Sequence, residues 1–138
     1  MEHEAIWQLD SEESGMEKAY CCIASNARDF ARFGMLFKNK GMFAGKQILP
    51  TEFTELATKP RFEDGQMYGY GFWLSDHLDK KIFAMQGILG QYVICIPEDN
   101  IMIVRLGHSK GRLVPGESFT EDFFVFIEET YKMLENAL

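Results

Sequence analysis

Clustered positive charge is missing from this chain. Its 14 lysines and arginines face 21 aspartates and glutamates, for a formal net charge of −7 and a pI near 4.9. No run of five cations occurs anywhere. Nucleic-acid recognition needs a concentrated basic face, so no nucleic-acid partner is expected. Long apolar runs are missing too. No stretch reaches the ~18 residues of a transmembrane helix. The first ten residues, MEHEAIWQLD, lack the cationic-then-apolar order of a signal peptide, so the chain as given reads as soluble. Cysteine is scarce: Cys21, Cys22 and Cys95. An odd count is not a disulfide framework, and the adjacent Cys21 and Cys22 are expected not to pair. Neither CxxC nor HExxH is present, and His3, His77 and His108 are far apart in sequence. No zinc site and no cofactor are therefore expected.

What is present is the stuff of a folded unit. Apolar residues make up 46% of the chain and charged residues 25%, as in globular proteins. At 138 residues, one core is the natural organisation. Phenylalanine is abundant, with 12 copies, which implies a dense core or a surface that meets something else. There are no internal repeats and no low-complexity segments.

The pattern along the chain predicts an α+β fold. Residues 1–24 show no period and read as an irregular lead-in carrying Trp7 and Tyr20. Asn26 is a helix cap with Asp29 at capping-box spacing, and Ala27, Phe30, Ala31, Phe33, Gly34, Leu36 and Phe37 form an apolar face. Asn39-Lys40-Gly41 ends that helix. A linker, GMFAGKQILP, precedes a second helix near Thr51–Thr58. After a polar turn, FEDGQ, the segment YGYGFWL reads as a strand. Its alternation sets Tyr68, Tyr70, Phe72 and Leu74 against Gly69, Gly71 and Trp73, leaving a trough beside Trp73. Strands follow at Ile82–Gln86, YVICI and IMIVRL. The last two are apolar on both faces, the mark of a sheet covered on both sides. Ser118 and Glu121 fit a capping box for a closing helix over residues 117–137. The expected architecture is an antiparallel sheet of about four strands over residues 66–108 with helices packed on it. Residues 1–60 are expected to be mainly helical and irregular, and the whole chain one unit. Glu12-Glu13 and Glu128-Glu129 read as solvated faces.

The stretch GILGQYVICIPEDNIMIVRLGH, Gly87 to His108, draws attention to itself. A loop bracketed by Gly87 and Gly90 lets backbone approach a ligand closely, and a buried hairpin behind it gives a stiff mount. A plain bulge or hairpin turn is the alternative reading of the same glycines. Trp73 is either the floor of a pocket or part of the core. A cysteine nucleophile from Cys21 or Cys22 with His108 as base is disfavoured, because nothing in the sequence activates either thiol.

Four strings in order, MEKAYCCIASNARDFARFG, GKQILP, YGYGFWL and the Gly87–His108 stretch, resemble the C-terminal portion of the serine β-lactamase and penicillin-binding-protein superfamily. The closest branch is that of class C β-lactamase-like hydrolases, including esterases and 6-aminohexanoate-dimer hydrolases. Such proteins carry Ser-x-x-Lys with the nucleophile, a Tyr-x-Asn, and a Lys-Thr-Gly or His-x-Gly on the strand that edges the site. No serine here has a lysine three residues later, and no tyrosine has an asparagine two residues later. The third motif falls on Met85-Gln86-Gly87, with Met85 where many relatives place a cation.

The resemblance implies acyl transfer through a serine acyl-enzyme. By carry-over, Ile88 N–H after Gly87 is half of an oxyanion hole, worth roughly 3–4 kcal/mol of transition-state stabilisation. Met85, Gly90, Gln91 and Trp73 are then the candidate substrate-binding residues. The substrate would be a small amide, ester or peptide-like molecule rather than one anchored by a carboxylate. The implied partner is the missing N-terminal part of the same domain, and the chain alone would be inactive. A homodimer or strand swap through an open sheet edge is also expected. Relatives often work in the periplasm or outside the cell. The alternative is a non-enzymatic interaction module built on the same fold, with its aromatic surface as the interface.

Overall fold

Period-two alternation builds the sheet. The computed structural model describes residues 2–18, 20–63 and 67–137. Strands β5 (Trp73–Ser75), β6 (Ile82–Gln86), β7 (Tyr92–Ile96) and β8 (Ile101–Arg105) form one antiparallel sheet in the order β5-β6-β7-β8. The register pairs Trp73 with Ala84, Gln86 with Tyr92, and Tyr92 with Arg105. Short turns join consecutive strands, so each neighbour is antiparallel. The chain is thus α+β, as its pattern predicts.

Two cores follow from the two apolar faces. Ile82, Ala84, Tyr92, Ile94, Ile96 and Ile101 pack against Phe119, Phe123 and Ile127 of the closing segment. Phe83, Val93 and Cys95 pack on the opposite face with Phe37, Ala57, Phe72 and Leu74. Helix α3 (Glu121–Glu135) covers the first face, and helices α1 (Ala27–Lys38) and α2 (Thr51–Ala57) cover the second. Each large side chain buried this way stabilises by roughly 1.5–3 kcal/mol. Helix α1 comes close enough that a Cβ on Gly34 would lie 2.9 Å from Val93 Cγ1. Glycine there is what allows the approach. Among the described residues, no helix is long and apolar enough to cross a membrane.

Several local expectations change. The lead-in is not wholly irregular: β1 (Ile6–Trp7) pairs with β2 (Ile23–Ala24). The linker folds into a second small hairpin, β3 (Met42–Phe43) with β4 (Lys46–Gln47). Helix α3 is capped at Thr120 without a side-chain hydrogen bond, so Ser118 and Glu121 form no capping box. Thr120 hydroxyl is instead committed to Tyr92 and Asp122. Asn26 does cap α1, accepting Asp29 N–H at 3.0 Å. Glu128 is half-buried, 3.2 Å from His77, rather than wholly solvated, while Glu129 pairs with Lys132. The polar turn FEDGQ lies partly at residues 64–66, outside the described residues.

Cys21 and Cys22 are joined by a disulfide, against the expectation from their adjacency. A bend in the backbone accompanies it. Cys22 takes a left-handed φ of 73°, and the flanking β1–β2 pair holds the bend, with Gln8 N–H donating to Cys22 O at 2.9 Å. Cys95 is free and fully buried, and burial pushes its thiol up to about 12. A thiol reagent should therefore find no reactive thiol in the native chain and one after unfolding without reductant. Reaction of Cys95 in the folded protein would contradict this placement.

Candidate functional site

The β6–β7 connection is a three-residue bulged hairpin. Gly87 N–H donates to Gln91 O at 2.8 Å, and Gly90 N–H donates back to Gly87 O at 3.1 Å. Gly90 sits at φ +76°, the left-handed position such a bulge requires. A Cβ there would also lie 2.4 Å from Arg105 Nη1 and 2.9 Å from Ser109 O. The hairpin-turn reading of these glycines is thus correct as geometry, and it leaves the loop's chemistry open.

The loop's amides are not equivalent. Leu89 N–H donates to Gln91 Oε1 at 3.1 Å. Gln91 Nε2 donates to Gly107 O at 2.8 Å, so both ends of this side chain are spent within the loop region. With Gly87 and Gly90 N–H also used, Ile88 N–H is the one amide of Gly87–Gly90 with no hydrogen bond to the described residues. Ile88 is 81% exposed. A backbone donor held on a braced turn and open to solvent can receive an anionic oxygen.

The strand edge beside this donor is open as well. Pairing of β5 with β6 starts at Trp73↔Ala84, so Met85 and Gln86 pair only with β7 among the described residues. Met85 packs toward the α1 face. Gln86 turns the other way, its Nε2 donating to Ser118 O at 3.4 Å.

Trp73 heads β5 across from Ala84, on the face opposite Met85. It packs against the α3-side core with its ring edge against Tyr68, centroids 4.9 Å apart. The expected trough beside it does not form, because residues 68–71 are not in a strand. A Cβ on Gly69 would lie 2.0 Å from Ala57 O, so that glycine permits contact with α2. The structure therefore gathers Met85, Gly87, Ile88, Gly90 and Gln91 at one end of the sheet and leaves Trp73 on the face opposite Met85.

Residues outside the sequence expectation complete the site. Arg105 Nη1 donates to Gly90 O and, at 2.8 Å, to Ser109 O. It lies 3.4 Å from Asp122 Oδ2. Asp122 accepts from Thr120 Oγ1 and from Gly111 N–H at 3.1 Å. Tyr92 OH meets Thr120 Oγ1 at 2.6 Å, and burial raises the Tyr92 hydroxyl above its ordinary value. The one sequence signal for this network was Arg105 itself, a lone charge ending the apolar run IMIV. Among the described residues, no three His, Cys, Asp or Glu side chains converge as metal ligands would.

A cleft of about 850 Å³ opens at the other end of the sheet, lined by Phe37, Leu74, Phe83 and Lys81 among others. It lies away from the glycine loop and shares none of its residues.

Comparison with known proteins bears on family and fold. The family model described as Beta-lactamase matches residues 3–118. A solved structure from Bacillus anthracis, provisionally assigned as a 6-aminohexanoate-dimer hydrolase, superposes with a TM-score of 0.65 at 24% identity. That superposition covers 91% of this chain and 32% of the other, so this chain spans about a third of that protein's length. No curated protein sequence matches the chain.

Proposed function

This chain belongs to the Beta-lactamase family, and from that membership we propose that it is the C-terminal part of a serine hydrolase acting on amides or esters. One observation carries the reading. Of the four amides in Gly87–Gly90, Ile88 N–H alone has no partner among the described residues, and it stands beside a strand edge that is open among them. An oxyanion hole needs such a donor, fixed before the reaction begins.

In the complete enzyme a serine Oγ adds to the substrate carbonyl carbon and its proton passes to a base. The carbonyl π electrons move onto oxygen, where Ile88 N–H and the serine's own N–H stabilise the charge. Collapse expels the amine or alcohol, and water then releases the acid. The nucleophile and base come from the part of the domain outside this chain, since no Ser-x-x-Lys is present. Met85 leaves the edge without a cation, which favours uncharged acyl groups over carboxylate-anchored ones. The neighbour's name fits an amide substrate, because the two halves of a 6-aminohexanoate dimer are joined through an amide. The outer edge of β8, unpaired among the described residues, is the proposed seat of the missing part.

The test is complementation. The chain is joined to an N-terminal portion bearing Ser-x-x-Lys and treated with a fluorophosphonate probe. Labelling of the serine in the assembly, and none in the chain alone, is expected. An assembly that folds yet resists both fluorophosphonate and ester substrates would end the hydrolase reading.

A further inference from the structure

We infer that Arg105 is a positioning residue for the oxyanion donor, an inference that rests on the hydrolase reading above. Arg105 ends β8, opposite Tyr92 and two strands from the β6 edge where substrate would lie. It works through the loop's far side, where Gly90 O accepts its Nη1.

Three separate segments meet at this one guanidinium. The loop contributes Gly90 O, and the connection after β8 contributes Ser109 O at 2.8 Å. The first turn of α3 contributes Asp122, at 3.4 Å. The guanidinium also lies over the Phe126 ring, 5.4 Å from its centroid, which fixes its plane.

Space around the group is shaped to fit. A Cβ on Gly90 would lie 2.4 Å from Arg105 Nη1, and a Cβ on Gly107 would lie 2.7 Å from Cζ. Both flanking positions are glycines, so nothing pushes the guanidinium off the carbonyls.

The physical consequence concerns Ile88. Its amide belongs to the peptide unit just after Gly87, and Gly87 O is held by Gly90 N–H. Anchoring the Gly90 carbonyl therefore fixes one end of the turn that aims Ile88 N–H. Gln91 braces the same turn from inside through Leu89 N–H. Gln91 limits which amide is free, and Arg105 sets where the turn sits.

Lysine cannot reproduce this. All three polar contacts fall on Nη1, and a lysine ammonium lacks the planar group that lies over Phe126 and holds that nitrogen in place. A shift of about 1 Å in a catalytic group can cost on the order of a hundredfold in rate. Because the donor matters only when charge develops on oxygen, its displacement should lower kcat and leave KM in place.

The experiment compares wild type, Arg105→Lys and Arg105→Gln in the complemented assembly on one ester substrate. Amide hydrogen exchange of Gly87, Leu89 and Gly90 and the thermal midpoint are followed in the chain itself. The expected result is a kcat drop of roughly tenfold or more in both variants with KM unchanged, together with faster exchange at those three amides. Unchanged kcat and unchanged loop exchange in Arg105→Lys would overturn the inference. So would a lowered thermal midpoint with exchange in the loop no faster than elsewhere, since that marks mere structural support. If wild type itself is never acylated, the hydrolase reading has failed and the positioning role falls with it. A wild type that is acylated beside an Arg105→Lys variant equally fast sinks this inference alone.

Discussion

Replacing Gly90 by alanine should abolish most activity of the complemented enzyme and visibly destabilise the chain. Two independent costs meet at this position. The backbone holds φ at +76°, which an L side chain tolerates poorly. Holding a non-glycine residue there costs about 1–3 kcal/mol. The added Cβ would also stand 2.4 Å from Arg105 Nη1 and 2.9 Å from Lys110 Cβ. The guanidinium or the turn must then move. If the turn moves, Ile88 N–H leaves its position, and loss of one oxyanion donor costs roughly 10²–10³ in kcat. The expected outcome is a fall of about a hundredfold in acylation rate and a thermal midpoint lower by roughly 5 °C. Alanine at Gly116 is the control, since it too has positive φ but open space around it. It should cost stability and leave acylation untouched. Equal activity in the Gly90→Ala and wild-type assemblies would mean that the loop plays no part in catalysis.

The sheet was legible from sequence because its code is simple. Ile82–Gln86, YVICI and IMIVR are β-rich runs separated by turn residues, and the two-sided apolar character of the last two correctly implied cover on both faces. Helix α1 was legible for a similar reason, with a strong cap at Asn26 and glycine after its end. The glycine loop could be located but not resolved. Ile88 N–H was singled out by the resemblance alone; the residues themselves do not mark which of the four amides stays free, because that depends on Gln91 folding back onto Leu89.

YGYGFWL misled for a definite reason. Strict alternation suggested a long strand, yet Gly71 takes φ +84° and only Trp73–Ser75 pair with β6 as a strand. The turn chemistry of glycine outweighed the period. Arg105, Thr120 and Asp122 were missed because their meeting is tertiary. Arg105 ends β8 while Thr120 and Asp122 open α3, and no spacing along the chain joins either to Gly90. The vicinal disulfide was missed because adjacency was read as excluding it, and the left-handed bend at Cys22 that accompanies it leaves no mark in the sequence.

Acid should loosen the N-terminal segment first, and Asp29→Asn should reproduce the effect at neutral pH. Asp29 is fully buried at the start of α1. Its Oδ1 accepts Glu2 N–H at 2.7 Å and Arg32 Nη1 at 2.9 Å. Its Oδ2 accepts His3 N–H and Asn26 Nδ2, both at 3.0 Å. His3 Nδ1 lies 3.3 Å from the same oxygen, and Glu2 closes the cluster with an ion pair to Arg32 at 2.6 Å. Burial alone would raise this carboxyl, but the Glu2 and His3 amides, Arg32 and Asn26 together hold it well below the usual carboxylate range.

The sign follows from linkage. An unfolded aspartate binds its proton near pH 3.9, well above the folded group. Between the two values the unfolded state carries more protons, so stability rises with pH there. The Asp29 contribution is full above about pH 5 and drains as pH falls through about 4 and below. Glu55, lowered by its hydrogen bond from Lys40, and Asp99, lowered by those from Tyr131 and Lys80, add to the same acid limb. Only the difference between wild type and variant isolates Asp29.

Asparagine fits the site badly for a geometric reason. The carboxylate accepts four donors on two oxygens. An amide keeps one oxygen and turns its NH₂ toward two of those donors, leaving them unpaired. The thermal midpoint should fall by on the order of 10 °C at neutral pH. Amides of residues 2–8 should exchange faster, because Glu2 and His3 lose the acceptor that ties the β1–β2 pair to α1. The variant's stability should also vary less than wild type's between pH 5 and 3, with the two curves converging in acid. Parallel curves over that range would show that Asp29 does not hold the segment. The helix face and the sheet should survive in either case, because the Phe37 and Val93 core on the α1 side owes nothing to this carboxylate.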